Sequence, residues 1–87
     1  MRDIVIYTRG CCGYCTRAVA LLRGKGVCFE EIEAGFDPEK RKEMIARANG
    51  GMTYPQIFID GRHIGGADDL FALEHSGALD RLLGLGG

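Results

Sequence analysis

The chain predicts an α/β fold, and three observations predict it. A β-branched and aromatic run, Ile4-Val5-Ile6-Tyr7, precedes a helix-like apolar stretch from Thr16 to Leu22. A second strand-like segment returns at Val27-Cys28-Phe29-Glu30-Glu31-Ile32-Glu33. Strand, helix and strand with a short return form a βαβ unit, so these two strands should be parallel with a right-handed crossover. Further on, Gln56-Ile57-Phe58-Ile59 and Arg62-His63-Ile64 flank Asp60-Gly61, the signal of a tight hairpin.

Each element has a local reason. Ile4 to Tyr7 shows no polar alternation, as expected of a strand buried on both faces. The first helix carries Arg17 and Arg23 at the edges of its apolar stripe and stops at Gly24-Lys25-Gly26. The second helix starts at Asp37-Pro38-Glu39, because Asp is a good N-cap and Pro suits the first helical position. Met44, Ile45 and Ala48 give it an inner face, Lys40, Arg41, Lys42 and Glu43 a wet one, and Asn49-Gly50-Gly51 ends it. Gly65-Gly66-Ala67-Asp68-Asp69 opens a third helix with Leu70, Phe71 and Leu73 turned inward, and His75-Ser76-Gly77 breaks it. Ala78 to Leu83 supplies a further turn or two, and Gly84-Leu85-Gly86-Gly87 should fray.

Composition narrows the function. The 87 residues suit a single domain spanning 1–87, small enough to sit near the limit of independent stability. Hydrophobic residues at 46% and charged residues at 26% are ordinary for a globular chain. A net charge of −1 points away from nucleic acid and from an anionic membrane. Neither a transmembrane run nor a signal-peptide core is present, which predicts a cytoplasmic protein. The 4 cysteines are too few and too clustered for a disulfide framework, and in a reducing cytosol they are more often catalytic or metal-binding.

The chemistry centres on Cys11-Cys12-Gly13-Tyr14-Cys15. A Cys-x-x-Cys between a strand and a helix reads as a thiol–disulfide redox motif. Unpaired N–H groups at a helix N-terminus favour negative charge, and the thiolate is the reactive form of cysteine. Cys12 is therefore placed to be the nucleophile, and Cys15, one turn further in, to close a disulfide onto it. Zinc would need four ligands, and the remaining Cys11, Cys28, His63 and His75 offer no second paired spacing. Cys28 is expected to be an inert core residue, and His63 and His75 surface residues outside the chemistry. Cys11 neighbours Cys12, but disulfide geometry disfavours a bond between adjacent cysteines.

Four landmarks in order resemble the glutaredoxins of the small dithiol class. They are Tyr7-Thr8-Arg9 before Cys12-Gly13-Tyr14-Cys15; Thr53-Tyr54-Pro55; Pro55 to Gly61 with His63-Ile64-Gly65-Gly66; and Ala67-Asp68-Asp69-Leu70. The resemblance covers about residues 3–83. It implies a thioredoxin-like fold, a four-stranded mixed sheet in the order 2-1-3-4 flanked by helices, and a cis bond before Pro55.

The resemblance also implies a glutathione-dependent oxidoreductase acting on disulfide-containing or glutathionylated proteins. Cys12 is then the nucleophile, Cys15 the resolving thiol, and Cys12 with Cys15 the redox-active disulfide. Glutathione is the co-substrate. Arg9, with Lys42 helping, would meet its glycyl carboxylate. Lys40, Arg41 and Lys42 are contiguous, so which of them faces the ligand is left open. The Thr53-Tyr54-Pro55 segment would pair with the cysteinyl part through the Tyr54 backbone. Gly66, Ala67, Asp68 and Asp69, at a helix N-terminus, would hold the γ-glutamyl end, and Tyr14 would flank the sulfurs. A thioredoxin-type reductase fed by a reductase enzyme is the weaker reading, because both the motif and the Gly65 to Asp69 segment point to glutathione.

Three positions depart from the common family pattern, among them Cys11, where a small polar residue or an aromatic is common. Gly13 stands where Pro is usual. Some relatives without that proline hold a [2Fe–2S] cluster between two protomers, with one Cys and one glutathione per chain as ligands. A cluster-bearing dimer ligated through Cys12 is thus the alternative to a monomeric catalyst. Tyr54 stands where Val is usual, and its ring is expected to narrow or cover the groove.

Overall fold

Strand β1, Ile4–Thr8, is buried along its whole length. The structure, a computed structural model, describes residues 3–85. After β1 come α1 (Gly13–Gly24), β2 (Glu30–Glu33), α2 (Pro38–Arg47), β3 (Gln56–Ile59), β4 (Arg62–Gly65), α3 (Ala67–Ser76) and α4 (Ala78–Leu82). The sheet order is β2-β1-β3-β4. β1 pairs parallel with β2 and antiparallel with β3, and β3 pairs antiparallel with β4.

Alternation along the strands splits the core in two. Ile4, Ile6, Ile57 and Ile59 face Ala18, Val19 and Leu22 of α1, Leu70 of α3 and Leu79 of α4. Val5, Tyr7 and Phe58 point the other way, onto Met44 and Ala48 beside α2. Covering both faces is what allows Ile4, Val5 and Ile6 of β1 to be apolar without alternation. The buried Tyr7 hydroxyl donates to Glu43 Oε2 at 2.6 Å and accepts from Arg47 Nη1 at 2.8 Å, so the polar tip is not stranded.

The local signals locate the ends well. Asp37 Oδ1 accepts from the Glu39 and Lys40 N–H groups, with Pro38 opening α2. Asp60 and Gly61 take positive φ of 51° and 78°, as a two-residue hairpin of this hand requires. Lys25 Nζ, at the end of α1, lies 2.7 Å from both Glu74 and Asp80, which ties α1 to α3 and α4.

Four expectations need correction. The second strand begins at Glu30, not Val27, because the ladder with β1 starts at the Val5–Glu30 pair. Val27 and Phe29 instead pack on the core while Cys28, between them, is exposed. Phe71 is only half-buried and joins neither core cluster. At the C-terminus, the Leu85 N–H donates to the Asp80 carbonyl at 2.7 Å and the Gly84 N–H to Arg81, so the chain is held as far as Leu85. The frayed end expected at Gly86-Gly87 lies outside the described residues.

Topology gathers the candidate residues. Tyr7 pairs with Gln56, so the end of β1 lies beside the start of β3. Ile57 pairs with Gly65, which brings the end of β4 to the same place. The cysteine loop, the Thr53-Tyr54-Pro55 loop and the N-terminus of α3 therefore meet at one end of the sheet's strands.

Candidate active site

Cys12 is the N-cap of α1, with extended backbone at φ −115° and ψ 110°. Its Sγ accepts the Cys15 backbone N–H at 3.3 Å, as a capping side chain should. Its carbonyl accepts from Thr16 N and Thr16 Oγ1, both at 3.1 Å, which fixes the first turn. Cys12 and Cys15 are only 8% and 4% exposed, so each sulfur is governed by its immediate neighbours.

Those neighbours drive the two thiols apart. Burial pushes the Cys12 thiol up, but the Cys15 thiol, the Cys15 and Tyr14 backbone N–H groups and the Arg9 charge together bring it below the ordinary value. Cys15 is raised to about 11, first by burial and then by its hydrogen bond to Cys12. The anion is favoured at Cys12 and the proton is retained at Cys15, the division that a nucleophile and a resolving thiol require.

Beside the sulfurs runs a groove of about 420 Å³, lined by Tyr14, Gly51, Thr53, Tyr54, Gln56, His63 and residues 65–69. The Tyr54–Pro55 peptide bond is cis. The opening turn of α3 forms the far end of the groove, where the first N–H groups of a helix lack intrahelical partners. Asp69 Oδ2 turns back to accept the Gly66 N–H at 3.1 Å, which caps the helix. The Asp68 side chain remains exposed. Gly65 has φ +122°, and a Cβ there would collide with the Asp69 carboxylate, so this turn needs glycine.

A dithiol at a helix N-terminus, with a peptide-sized groove alongside, suits thiol–disulfide exchange on a small peptide thiol. The sequence pattern of the glutaredoxin family matches residues 4–64. Over 83 residues the chain is 54% identical to glutaredoxin 3 of Escherichia coli strain K12, covering 95% of this chain and 99% of that one. The chain belongs to the glutaredoxin family. It is a thiol–disulfide oxidoreductase with the thioredoxin-like fold of that family. The solution structure of a glutaredoxin from Brucella melitensis superposes with a TM-score of 0.82 at 55% identity, covering 98% of this chain and 91% of that one. The crystal structure of a buckwheat glutaredoxin–glutathione complex gives a TM-score of 0.82 at 29% identity, covering 95% and 77%.

Within this glutaredoxin the candidate residues are not all in one place. Tyr14, Thr53, Tyr54, Gly66, Ala67, Asp68 and Asp69 share the groove. Pro55 is buried next to it. Arg9, Cys12 and Cys15 line an adjoining depression with Glu31 and Arg23. Lys42 is in neither: it lines a third hollow with Ala34, Phe36 and Arg41. The Tyr54 ring does not lie free over the groove, because its hydroxyl donates to the Ala34 carbonyl at 3.2 Å.

Two polar residues of the groove wall were outside the candidate set. Gln56 is buried at 4% exposure, and its Nε2 donates to Thr53. His63, expected at the surface, is half-buried, with Nε2 2.7 Å from Gln56 Oε1 and its ring against Phe58. His75 is exposed as expected. The signal for His63 was available in part, since the Asp60-Gly61 hairpin sets it opposite Phe58.

None of the helices among the described residues is long and apolar enough to cross a membrane.

Proposed function

We propose that this glutaredoxin, acting as a single domain over residues 1–87, reduces protein–glutathione mixed disulfides and protein disulfides with glutathione as co-substrate. The observation that carries the reading is the state of Cys12: a buried helix-capping sulfur held below the ordinary thiol pKa, beside a groove of peptide size.

In the glutathione cycle the Cys12 thiolate attacks the glutathione sulfur of a mixed disulfide. The bond to the protein sulfur breaks, the protein leaves as a thiolate that takes a proton, and Cys12 carries glutathione. A second glutathione, as thiolate, attacks the carried sulfur, releasing oxidised glutathione and regenerating Cys12. With a protein disulfide, Cys12 becomes bonded to the substrate and Cys15 displaces it, leaving a Cys12–Cys15 disulfide that two glutathiones reduce. Stability as an anion makes Cys12 a good leaving group in the regenerating step.

The groove residues, with Arg9 from the adjoining depression, suit the two ends of the tripeptide. Arg9, whose charge already acts on Cys12, meets the glycyl carboxylate. The Tyr54 backbone pairs with the cysteinyl residue, flanked by Thr53 and cis-Pro55. The opening turn of α3 at Gly66, Ala67 and Asp68 receives the γ-glutamyl carboxylate, the Asp68 side chain takes the amine, and Asp69 holds the turn in shape. Lys42 contributes at longer range from its own hollow. Tyr14, 58% exposed, covers one flank of the cysteines. The cycle needs a pool of reduced glutathione, which agrees with a cytoplasmic location and a monomeric enzyme.

The [2Fe–2S] alternative is favoured by one feature: a Cβ at Gly13 would meet nothing within 4 Å, so the space next to Cys12 is open. Among the described residues no group of three or more His, Cys, Asp or Glu could hold a metal ion. As the family resemblance implies, Cys12 would give one thiolate per chain, and the remaining sulfurs would come from glutathione and a second copy. Such a cluster would supply iron–sulfur storage or sensing in place of turnover.

The deciding experiment is glutathione-coupled reduction of a glutathionylated small disulfide, under anaerobic handling. Cys12→Ser should be inactive and Cys15→Ser active. An inactive wild type with visible absorbance and a doubled mass would replace the catalyst by the cluster-bearing dimer.

A further inference from the structure

A hydrogen-bond relay runs along one wall of the groove. The side-chain amide of Gln56 donates through Nε2 to the Thr53 carbonyl and to Thr53 Oγ1, both at 3.0 Å. A carbonyl oxygen can only accept, so the amide nitrogen must face Thr53 and the amide oxygen must face away. That oxygen lies 2.7 Å from His63 Nε2. His63 Nε2 must then carry a hydrogen, which it does in one neutral tautomer and in the charged ring alike. The ring itself is fixed by packing against Phe58, with centroids 5.1 Å apart and planes inclined at 31°.

From this geometry we infer that His63 is a positioning residue for glutathione binding. Through Gln56 it holds the Thr53 carbonyl, and so sets the Thr53–Tyr54 main chain that pairs with the tripeptide. The inference rests on the function proposed above and adds a residue that need not touch the ligand. Without a donor at position 63, the buried Gln56 oxygen has no partner. Rotating the amide only moves the fault, because it turns that oxygen onto the Thr53 carbonyl. Either arrangement weakens the hold of Gln56 on the Thr53 carbonyl, although the Tyr54 hydroxyl still ties the loop to Ala34, and binding must then restore that part of the orientation. Neither His63 nor Gln56 is among the groups that set the Cys12 pKa, so the sulfur chemistry should be untouched.

The test uses three variants of the full chain. His63→Phe keeps a ring on Phe58 and removes the N–H. His63→Asn is too short to reach Gln56. His63→Gln puts an amide N–H near the Nε2 position. Affinity is read by calorimetry with S-methylglutathione, turnover with a glutathionylated small disulfide, and folding by circular dichroism. Phe and Asn should each weaken binding and raise KM about tenfold, while Gln stays within about twofold of wild type. The value of kcat and the alkylation profile of Cys12 should not move. If His63→Phe fails to fold, His63→Asn carries the comparison with Gln. Equal binding by wild type and a folded donor-less variant, Gln failing as badly as Asn, or a loss confined to kcat would each overturn the inference and leave the proposed function standing. A wild type that neither binds S-methylglutathione nor turns over the mixed disulfide would overturn both.

Discussion

The Tyr54 hydroxyl donates to the Ala34 carbonyl at 3.2 Å, which ties the loop ahead of Pro55 to the turn that follows β2. That turn is in tight contact with Arg9: a Cβ at the next residue, Gly35, would lie 2.5 Å from Arg9 Cβ and 3.2 Å from its Cα. Tyr54 thus reaches the neighbourhood of the cysteines through the backbone of residues 34 and 35. Tyr54→Phe, which keeps the ring and removes the tie, should cost about 1 kcal/mol in urea unfolding. An unchanged midpoint would mean that the bond contributes nothing.

Gly35→Ala should act on the sulfur without touching it. The added methyl must displace Arg9, and Arg9 is one of the groups that lowers the Cys12 pKa. The Cys12 pKa, followed by thiolate absorbance in the ultraviolet, should rise. Arg9→Ala should raise it too, and should raise KM for a glutathionylated substrate about tenfold through loss of a charge-assisted bond. Lys42→Ala, from its separate hollow, should change KM by about twofold or less. Equal losses at Arg9 and Lys42 would contradict the placement of the glycyl end.

Alkylation with iodoacetamide should separate the two active-site thiols by pH. The Cys12 pKa is depressed, so its thiolate persists below the ordinary thiol range and reactivity falls only as pH drops through that lowered value. Cys15, with a pKa of about 11, should stay unmodified until pH approaches that figure. Exposed Cys11 and Cys28 serve as internal comparisons. Peptide mapping that found Cys15 labelled first would reverse the assignment of roles.

Gly65→Ala should be severe for its size. At φ +122° the substitution is strained, and its methyl group would strike the carboxylate that caps α3. A loss of about 2 kcal/mol is expected, with weaker glutathione binding because the helix N-terminus shifts. Full stability in thermal unfolding would show that the cap can move aside.

What could be read from the residues depended on how local the cause was. Asp37-Pro38 and Asp60-Gly61 announced a helix start and a hairpin because capping and positive φ are decided within a few residues. The 2-1-3-4 strand order came through family resemblance, since no residue in a strand states which neighbour it will pair with. Cys28 was misplaced because β2 is four residues long and rich in glutamate, too little pattern to set which side chains turn inward. Of the contiguous Lys40, Arg41 and Lys42, packing of α2 puts the last two in one hollow, a grouping that their sequence order does not state. The Gln56–His63 bond crosses a hairpin with a register irregularity at Ile57 and Phe58, so only the folded ladder brings the two together.

The elevated pKa of Cys15 has a bearing on the order of events. Two of the influences that hold its proton in place, the hydrogen bond to Cys12 and the Cys12 charge, exist only while Cys12 is a free thiolate. Once a substrate sulfur caps Cys12, both vanish and only burial still opposes ionisation. On the mechanism proposed here, attack by the first sulfur primes the second. Cys15 keeps its proton while Cys12 is free, and release of the substrate is timed by the capture that precedes it.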